Sequence, residues 1–390
     1  MHANSPEYYI GIMSGTSLDG VDVSLIAISK NQKNQKNQQV EIESIANLFT
    51  DLPQELITQI KILSTEPKID VIALGQMQSC LAHFFAVQVN NLLATQSINA
   101  DQVTAIGCHG ITIRHFPDLE HGFTMQITDA NKLAQLTGID VISDFRGMDV
   151  AAGGQGAPLV PPFHQTLFSS DHNRFVLSLG GIAYVSLLTK NTELLGFDTG
   201  PANTLLDLWC QEHTEQPFDQ NGQWAATGQY SPELLKLCLA EPYFQQDYPK
   251  STGKEKFNLG WLEQQLNTLS VTAPNVSLRP QDIQATLVHL TAKSIANQCE
   301  AFDVDEVIVC GGGANNHFLM SVLSEYFAEQ NAVVYSSETL NVDPNAVEAM
   351  AFAWLAYCRV HTISANVTSV TGAKKQVVMG AWYSVDGDNR

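Results

Sequence analysis

Residues 10–22 read IGIMSGTSLDGVD, an apolar run that stops at a turn of glycine and hydroxyl residues and then resumes as a second apolar run. Residues 177–186 read LSLGGIAYVS and repeat this design in the second half of the chain. Glycine lets backbone N–H groups approach an anion, and serine and threonine hydroxyls add further donors. Either stretch alone is also compatible with an ordinary tight hairpin. The pair, one in each half, predicts a duplicated nucleotide-binding fold with two phosphate-cradling turns.

The size and charge of the chain narrow its class. At 390 residues it exceeds the length that one hydrophobic core usually supports, so we expect two domains. Its 20 basic and 40 acidic residues give a net charge of −20, which repels nucleic acid and anionic lipid. ATP can still bind where local dipoles and a divalent cation favour phosphate. We therefore expect neither nucleic acid nor a membrane as a partner.

The cysteines and the N-terminal residues bear on location. The 7 cysteines are scattered without CxxC spacing, which is typical of reduced and largely buried thiols. The N-terminal residues do not form a basic segment followed by an apolar core, and no apolar run approaches the roughly 18 residues of a membrane span. We expect a cytoplasmic protein.

Strand-like runs alternate with helical stretches along the chain, which predicts an α/β architecture with ligands at strand ends. Residues 153–158 read GGQGAP, and this segment resembles a hinge because glycines widen the backbone choice and prolines stiffen its exit. We therefore expect a first domain over 1–148 plus about 368–390, and a second over 149–367. The polar tract at 30–39 is expected to be a solvated loop.

Two further segments belong to this plan. Residues 307–316 read VIVCGGGANN, a strand that passes through a glycine turn towards a helix. The helix expected around 347–358 is apolar on nearly every face and should be buried. Glu348 is the exception within it, either as a charge at the helix start or as a group that reaches into a cleft.

These segments, with GCHG at 107–110, DFR at 144–146, AAGGQGAPLVP at 151–161 and GFDTGP at 196–201, closely resemble the anhydro-N-acetylmuramic acid kinase family. The resemblance runs in order through nearly the whole chain. It implies the duplicated actin-like (ribonuclease H-like) two-domain α/β ATPase fold with an interdomain cleft, shared by sugar kinases, the Hsp70 ATPase domain and actin. The first domain would hold the sugar and the first phosphate turn, and the second domain the other phosphate turn and the nucleotide base.

The resemblance also implies an activity. The enzyme would be an ATP-dependent sugar kinase that uses water to open the 1,6-anhydro bridge of anhydro-N-acetylmuramic acid and phosphorylates O6. The products would be N-acetylmuramic acid 6-phosphate and ADP, in peptidoglycan recycling. Mg²⁺ would assist, and the protein would be a homodimer.

Asp198 is the candidate catalytic residue. Water opens an acetal only when a base activates it, and a positioned carboxylate can be that base. Asp198 follows a strand and precedes the Gly200-Pro201 start of a helix, whose positive end favours an ionised carboxylate. It also matches the catalytic aspartate of the family. The alternative is an aspartate that only caps the helix.

Nucleotide contacts are expected from the first turn and from two later glycine turns. The candidates are Gly15, Thr16, Ser17, Leu18, Asp19, Gly20, Val21, Asp22, Gly180, Gly181, Gly311, Gly312 and Gly313. The resemblance implies that Asp19 or Asp22 acts on Mg²⁺ through water, although by spacing alone both are more often turn-forming residues.

The resemblance also implies a sugar pocket that contains His109 and Thr112, and the further candidates for this pocket are Asp144, Arg146 and Glu348. Without it, a lone histidine near a strand end is more often structural. Arg146 can pair with the lactyl carboxylate of a muramic sugar because a guanidinium matches a carboxylate. Equally, Arg146 can satisfy Asp144 in an ion pair between the domains.

The sequence also offers one other motif and two alternative functions. Residues 250–255 read KSTGKE, but the upstream glycine and following hydroxyl of a Walker A loop are missing. One alternative function is a kinase for an ordinary amino sugar such as N-acetylglucosamine, with Asp198 deprotonating a sugar hydroxyl. Another is an ATP-driven switch protein related to Hsp70 or actin. Ser178, Tyr184 and Thr128 depart from the family's usual residues.

Overall fold

A computed structural model describes residues 5–15, 18–30, 40–189, 193–248 and 250–386. The strands are β1 (Glu7–Met13), β2 (Gly20–Lys30), β3 (Val40–Asp51), β4 (Val103–Cys108), β5 (Ile111–Phe116), β6 (Phe123–Ile127), β7 (Val141–Ser143), β8 (Arg174–Leu179), β9 (Ile182–Leu188), β10 (Leu195–Pro201), β11 (Glu306–Cys310), β12 (Val333–Ser336) and β13 (Ala381–Tyr383). The helices are α1 (Gln54–Thr65), α2 (Val71–Gln96), α3 (Ala130–Thr137), α4 (Phe145–Ala151), α5 (Pro161–Phe168), α6 (Asn203–Thr214), α7 (Pro232–Leu239), α8 (Leu259–Thr272), α9 (Pro280–Cys299), α10 (His317–Ala328), α11 (Val347–Val360) and α12 (Thr368–Thr371).

The predicted hairpins are present in both halves. β1 and β2 pair antiparallel from Glu7 opposite Ile28 to Met13 opposite Asp22. β8 and β9 pair in the same way and end with Leu179 opposite Ala183. These strands are almost wholly buried, because both faces of each central sheet are covered, so the sequence runs apolar rather than alternating. The hairpin prediction is confirmed.

The chain divides into two compact units with matching sheets. Unit 1 comprises Met1–Leu167 and Ala346–Arg390, and unit 2 comprises Phe168–Asn345. The sheet of unit 1 has the order β3-β2-β1-β4-β7 with β13 added at its edge, and the sheet of unit 2 has the order β10-β9-β8-β11-β12. In unit 1, β2 runs antiparallel to β1, while β4 and β7 run parallel to it. In unit 2, β9 runs antiparallel to β8, while β11 and β12 run parallel to it. The duplicated actin-like α/β fold is therefore confirmed.

The domain limits differ from those expected, which were 148/149 and 367/368. The segment read as a hinge is fixed inside unit 1: the Gln155 N–H donates to Thr371 O at 2.7 Å, and the Lys374 N–H donates to Ala152 O at 3.0 Å. Asp149 is fully buried, and its carboxylate accepts the Gly156 N–H at 2.8 Å. The glycines of this segment let the backbone pack closely around the Asp149 carboxylate, and they do not form a hinge between domains.

The last long helix also belongs to unit 1, because two glycines let it approach the sheet. Gly11 of β1 lies opposite Gly107 of β4. A β-carbon on Gly11 would lie 1.7 Å from Ala349 O, and one on Gly107 would lie 1.9 Å from Phe352 O. The backbone of α11 therefore contacts the backbone of both strands, and any side chain at either glycine would separate them.

Some sequence expectations concern residues that are not described. The polar tract at 31–39 lies outside the described residues, as do Thr16 and Ser17. Within the described ranges, no helix combines the length and apolar character needed to cross a bilayer. The 7 cysteines all lie within the described residues and form no disulfide there, and Cys80 is exposed while the other six are buried.

Candidate active site

His109 lies at the end of β4 in unit 1 and is 4% exposed. Its backbone N–H donates to Ile12 O at 3.1 Å, which joins the ends of β4 and β1. Its Nδ1 lies 3.0 Å from Gly110 O, and Arg146 Nε donates to its Nε2 at 2.9 Å. Since Nε2 accepts this hydrogen bond, the proton of the neutral ring is on Nδ1. Burial and the Arg146 charge hold the pKa of His109 well below its ordinary value.

Arg146 is positioned by α4 and connects three parts of unit 1. Besides His109, it donates from Nη1 to Gly156 O at 2.7 Å. Burial lowers the pKa of Arg146 to about 10, while the charges of Glu348 and Asp149 oppose that shift. A buried guanidinium requires such acidic neighbours. For Arg146, Glu348 and Asp149 fill this requirement.

Asp144 has a local role that the sequence did not indicate. It caps α4, and its carboxylate accepts the Gly147 N–H at 3.2 Å. Its φ of 52° places it in the left-handed region, where aspartate is tolerated better than most residues. Burial raises the pKa of Asp144. This geometry favours capping over the alternative of an ion pair with Arg146.

Glu348 lies in the first turn of α11, so it is a charge at a helix start as well as a neighbour of Arg146. Burial raises the pKa of Glu348 and Arg146 opposes this rise. Thr112 lies just beyond Gly110, on β5, where its hydroxyl accepts a hydrogen bond from Gln126 Nε2 at 3.1 Å. All five sugar-pocket candidates thus lie in three segments of unit 1, which are 109–112, 144–146 and the first turn of α11.

The first glycine turn is held by its own backbone and side chains. Ser14 Oγ donates to Gly20 O at 2.9 Å, and the Leu18 N–H donates to Gly15 O at 3.2 Å. The Gly20 N–H donates to Asp19 Oδ1 at 3.0 Å. Val21 and Asp22 continue into β2, where Asp22 pairs with Met13.

Asp198 lies on β10 of unit 2 and is held from several sides. The Thr252 N–H donates to its Oδ2 at 3.0 Å, and the Tyr243 hydroxyl donates to its carbonyl oxygen at 2.7 Å. Burial raises the pKa of Asp198 to about 6, and the charge of Glu255 adds to the rise. The N-cap of α6 is Ala202, so Asp198 does not cap that helix. A half-buried carboxylate with such a pKa suits a base that works near neutral pH.

The second and third glycine turns meet in unit 2. The Gly181 carbonyl accepts the N–H groups of Ala202 and Thr204, both at 3.0 Å. A β-carbon on Gly313 would lie 2.5 Å from Leu179 Cβ, directly before the second turn. Gly312 has open space where its β-carbon would lie, so a ligand can approach this backbone closely.

A magnesium ion would have few direct protein ligands. Among the residues with described positions, no group of three His, Cys, Asp or Glu side chains could hold a metal. Mg²⁺ usually keeps several waters and binds one or two carboxylates plus substrate phosphates. The hard oxygen donors of Asp19 and Asp22 fit that mode.

Sequence reasoning missed two features of these sites. Asp149 accepts hydrogen bonds from Asn366 Nδ2 at 2.9 Å and Thr371 Oγ1 at 2.8 Å in addition to Gly156. The loop 250–255 contacts Asp198 through the Thr252 N–H. Its sequence shows no sign of this contact, because it lacks the residues of a known phosphate-binding motif. The available signal for Asp149 was an acidic residue four positions before the first glycine of the GGQG segment at 153–156.

The comparisons with known proteins agree over most of the chain. The family model described as anhydro-N-acetylmuramic acid kinase matches residues 7–385. The anhydro-N-acetylmuramic acid kinase of Shewanella denitrificans is 45% identical over 98% of this chain and 99% of that protein. The enzyme of the same name from Haemophilus influenzae is 43% identical over 98% of this chain and 99% of that protein. The chain therefore belongs to the anhydro-N-acetylmuramic acid kinase family.

Proposed function

We propose that the protein uses ATP and water to convert 1,6-anhydro-N-acetylmuramic acid into N-acetylmuramic acid 6-phosphate and ADP, as part of peptidoglycan recycling. Membership of the family supports the sugar and the use of ATP. The observation that carries the chemistry is Asp198, a carboxylate whose pKa is raised to about 6 and which is still ionised at neutral pH. Cytoplasmic location remains a prediction from the cysteines and the N-terminal residues, and the homodimer remains a prediction from the family resemblance.

Asp198 acts as the general base for ring opening. It takes a proton from water, the water oxygen bonds to C1 of the sugar, and the bond between C1 and O6 breaks. O6 then bonds to the γ-phosphorus of ATP, and the bond from that phosphorus to the β–γ bridging oxygen breaks to release ADP. The Thr252 N–H keeps one carboxylate oxygen of Asp198 in place during this sequence. General-base assistance of this kind contributes about 10²–10⁴-fold to a rate.

The sugar is bound by the cluster around Arg146. His109 has both ring nitrogens engaged, by Arg146 and by Gly110 O, so it is a rigid wall of the pocket that keeps the Arg146 guanidinium in place. The lactyl carboxylate of a muramic sugar would approach the positive charge of Arg146. Arg146 orients His109, and the acidic residues Glu348 and Asp149 limit the local excess of positive charge around it.

The glycine turns hold the phosphates of ATP. Their backbones can approach an anion without a β-carbon in the way, as at Gly312. Mg²⁺, when bound, would neutralise developing charge on the phosphates, with Asp19 or Asp22 as its protein partner through water. Phosphoryl transfer depends mainly on such positioning and charge neutralisation.

The test is the fate of water oxygen during turnover in ¹⁸O-labelled water. We expect ¹⁸O at C1 of the product above the amount that preformed product gains by exchange over the same time. Asp198→Asn should abolish sugar-dependent ADP release while ATP binding persists. Phosphorylation of N-acetylglucosamine in preference to the anhydro sugar would indicate an ordinary amino-sugar kinase, and ATP hydrolysis independent of any sugar would indicate a switch protein. Either result would overturn the proposal.

A further inference from the structure

The second glycine turn in unit 2 has a cradle on one side. A β-carbon built on Gly181 would lie 2.6 Å from Thr204 Oγ1 and 3.7 Å from Lys254 Cε. The threonine hydroxyl and the lysine side chain therefore both lie over the same glycine. Only glycine leaves this space for a ligand atom.

The Thr204 hydroxyl in this cradle is buried and without a partner. Thr204 is 5% exposed, and its Oγ1 makes no hydrogen bond with any of the residues whose placement is described. Its backbone N–H is already used by Gly181 O. Buried polar groups nearly always have partners, and an unsatisfied one costs about 1–3 kcal/mol. A bound acceptor would supply the missing hydrogen bond.

The loop that carries Lys254 also holds the catalytic candidate. Two residues earlier, the Thr252 N–H donates to Asp198 Oδ2, and one residue later Glu255 raises the pKa of Asp198. The neighbouring lysines point elsewhere: Lys250 Nζ donates to Tyr243 O at 3.1 Å, and Lys256 Nζ pairs with Glu241 Oε1 at 2.8 Å. Lys254 is thus the lysine of this loop that lies over the glycine turn.

We propose that Lys254, Thr204 and the Gly180-Gly181 backbone form the cradle for the terminal phosphoryl group of ATP. The ligand is a phosphate anion because the donors are an ammonium, a hydroxyl and glycine backbone. It is the terminal group because the same loop contacts Asp198, next to which the transferred phosphoryl must lie. The assignment rests on the use of ATP in the proposed function, and it makes Lys254 and Thr204 residues that distinguish ATP from ADP.

The first test compares two lysine variants of the full chain by calorimetry, with a non-hydrolysable ATP analogue and with ADP, in the absence of sugar. Lys254→Ala should weaken the analogue about 10–100-fold, as expected for a lost charged hydrogen bond, and ADP less than about twofold. Lys256→Ala removes the same charge from the same loop and should change neither. Lys254→Arg should restore part of the loss. Equal weakening of both nucleotides, or equal effects of the two alanine variants, would overturn the assignment.

The second test uses the threonine. Thr204→Val keeps the shape and removes an unpaired hydroxyl, so the melting temperature should stay equal or rise while binding of the ATP analogue weakens. Thr204→Ser should bind as the unaltered protein does. A variant Thr204→Val that melts earlier and binds normally would show a purely structural hydroxyl.

These binding results are separate from the identity of the sugar. If the unaltered protein binds the ATP analogue through this cradle and yet fails to turn over the anhydro sugar, the proposed function fails and the cradle stands. If it turns over the anhydro sugar and Lys254→Ala binds both nucleotides normally, the cradle fails and the function stands.

Discussion

Arg146 Nε lies 2.9 Å from His109 Nε2, and this contact decides which nitrogen of the imidazole carries the proton. Guanidinium groups only donate, so Nε2 must accept and Nδ1 must hold the hydrogen that faces Gly110 O. The ring also contacts the Phe352 ring, with 4.7 Å between centroids. A histidine held on two edges and one face is a rigid element of the candidate sugar pocket.

The tautomer is the first testable consequence. We expect His109 to be neutral with its proton on Nδ1 at neutral pH, because burial and the Arg146 charge both hold its pKa well below the ordinary value. Nitrogen-15 NMR of labelled protein measures the protonation of each ring nitrogen directly. His109→Ala identifies the signal. A ring that titrates near pH 6.5, or one that is protonated on Nε2, would contradict the structure.

Replacing Arg146 by lysine should impair sugar binding. A single ammonium cannot reproduce the two contacts, to His109 and to Gly156 O, that the planar guanidinium makes. We expect the KM for the sugar to rise about 10-fold or more, with ATP binding in the absence of sugar unchanged. Arg359→Lys is the control, since Arg359 donates to Gly380 O elsewhere in unit 1. Similar losses in both variants would indicate a general loss of stability.

The activity should depend on the ionisation of Asp198. Below about pH 6 its carboxyl is protonated and cannot accept a proton from water, so kcat/KM should rise with pH through about 6. A pH profile of sugar-dependent ADP release measures this, with binding of an ATP analogue over the same range as control. An acidic limb centred near the ordinary aspartate value of 3.8 would contradict the raised pKa.

The same pKa makes Asp198 a cost to folding at neutral pH. The folded state favours the protonated form, so stability from this group is complete below 3.8 and is lost as pH rises through about 6. Asp198→Asn mimics the neutral form and should raise the melting temperature at pH 8 but hardly at pH 4. Calorimetry at the two pH values measures the difference. An equal change at both would show that ionisation is not the cause.

A glycine pair tests the packing of α11. Gly107→Ala should destabilise unit 1 by more than about 4 kcal/mol, because the new β-carbon would lie 1.9 Å from Phe352 O, a backbone atom of the helix. Gly75→Ala is the matched control within α2, where nothing lies within 4 Å, and should stabilise by about 0.5–1 kcal/mol. Denaturant unfolding measures both. A Gly107→Ala protein as stable as the parent would refute the close approach.

The overall architecture could be predicted from the sequence, whereas most of the individual side-chain contacts could not. The apolar runs broken by glycine predicted both hairpins, since two strands joined by a short turn can hardly pair in any way other than antiparallel. The glycines at 153–156 led to the wrong prediction of a hinge between domains. Glycine is as compatible with a hinge as with the close packing around Asp149 that the structure shows. Only the fold distinguishes these two uses.

The candidate site shows the same division. Asp198 could be singled out because it follows a strand and precedes a helix. The Thr252 N–H that holds its carboxylate is 54 residues away in sequence, and no local pattern connects the two. The roles of Asp198, His109 and Arg146 in catalysis and binding stay predictions until the experiments above are done.

The seat of α11 on Gly11 and Gly107 has a consequence for synthesis on the ribosome. Unit 2 is one continuous stretch, Phe168–Asn345, so it can complete its folding as soon as it emerges. The central strands of unit 1 are translated first but lack their covering helix until Val347–Val360 has left the exit tunnel. The sheet of unit 1 therefore keeps an apolar face exposed while the whole of unit 2 is translated. Such a surface on the nascent chain is what chaperones bind during synthesis.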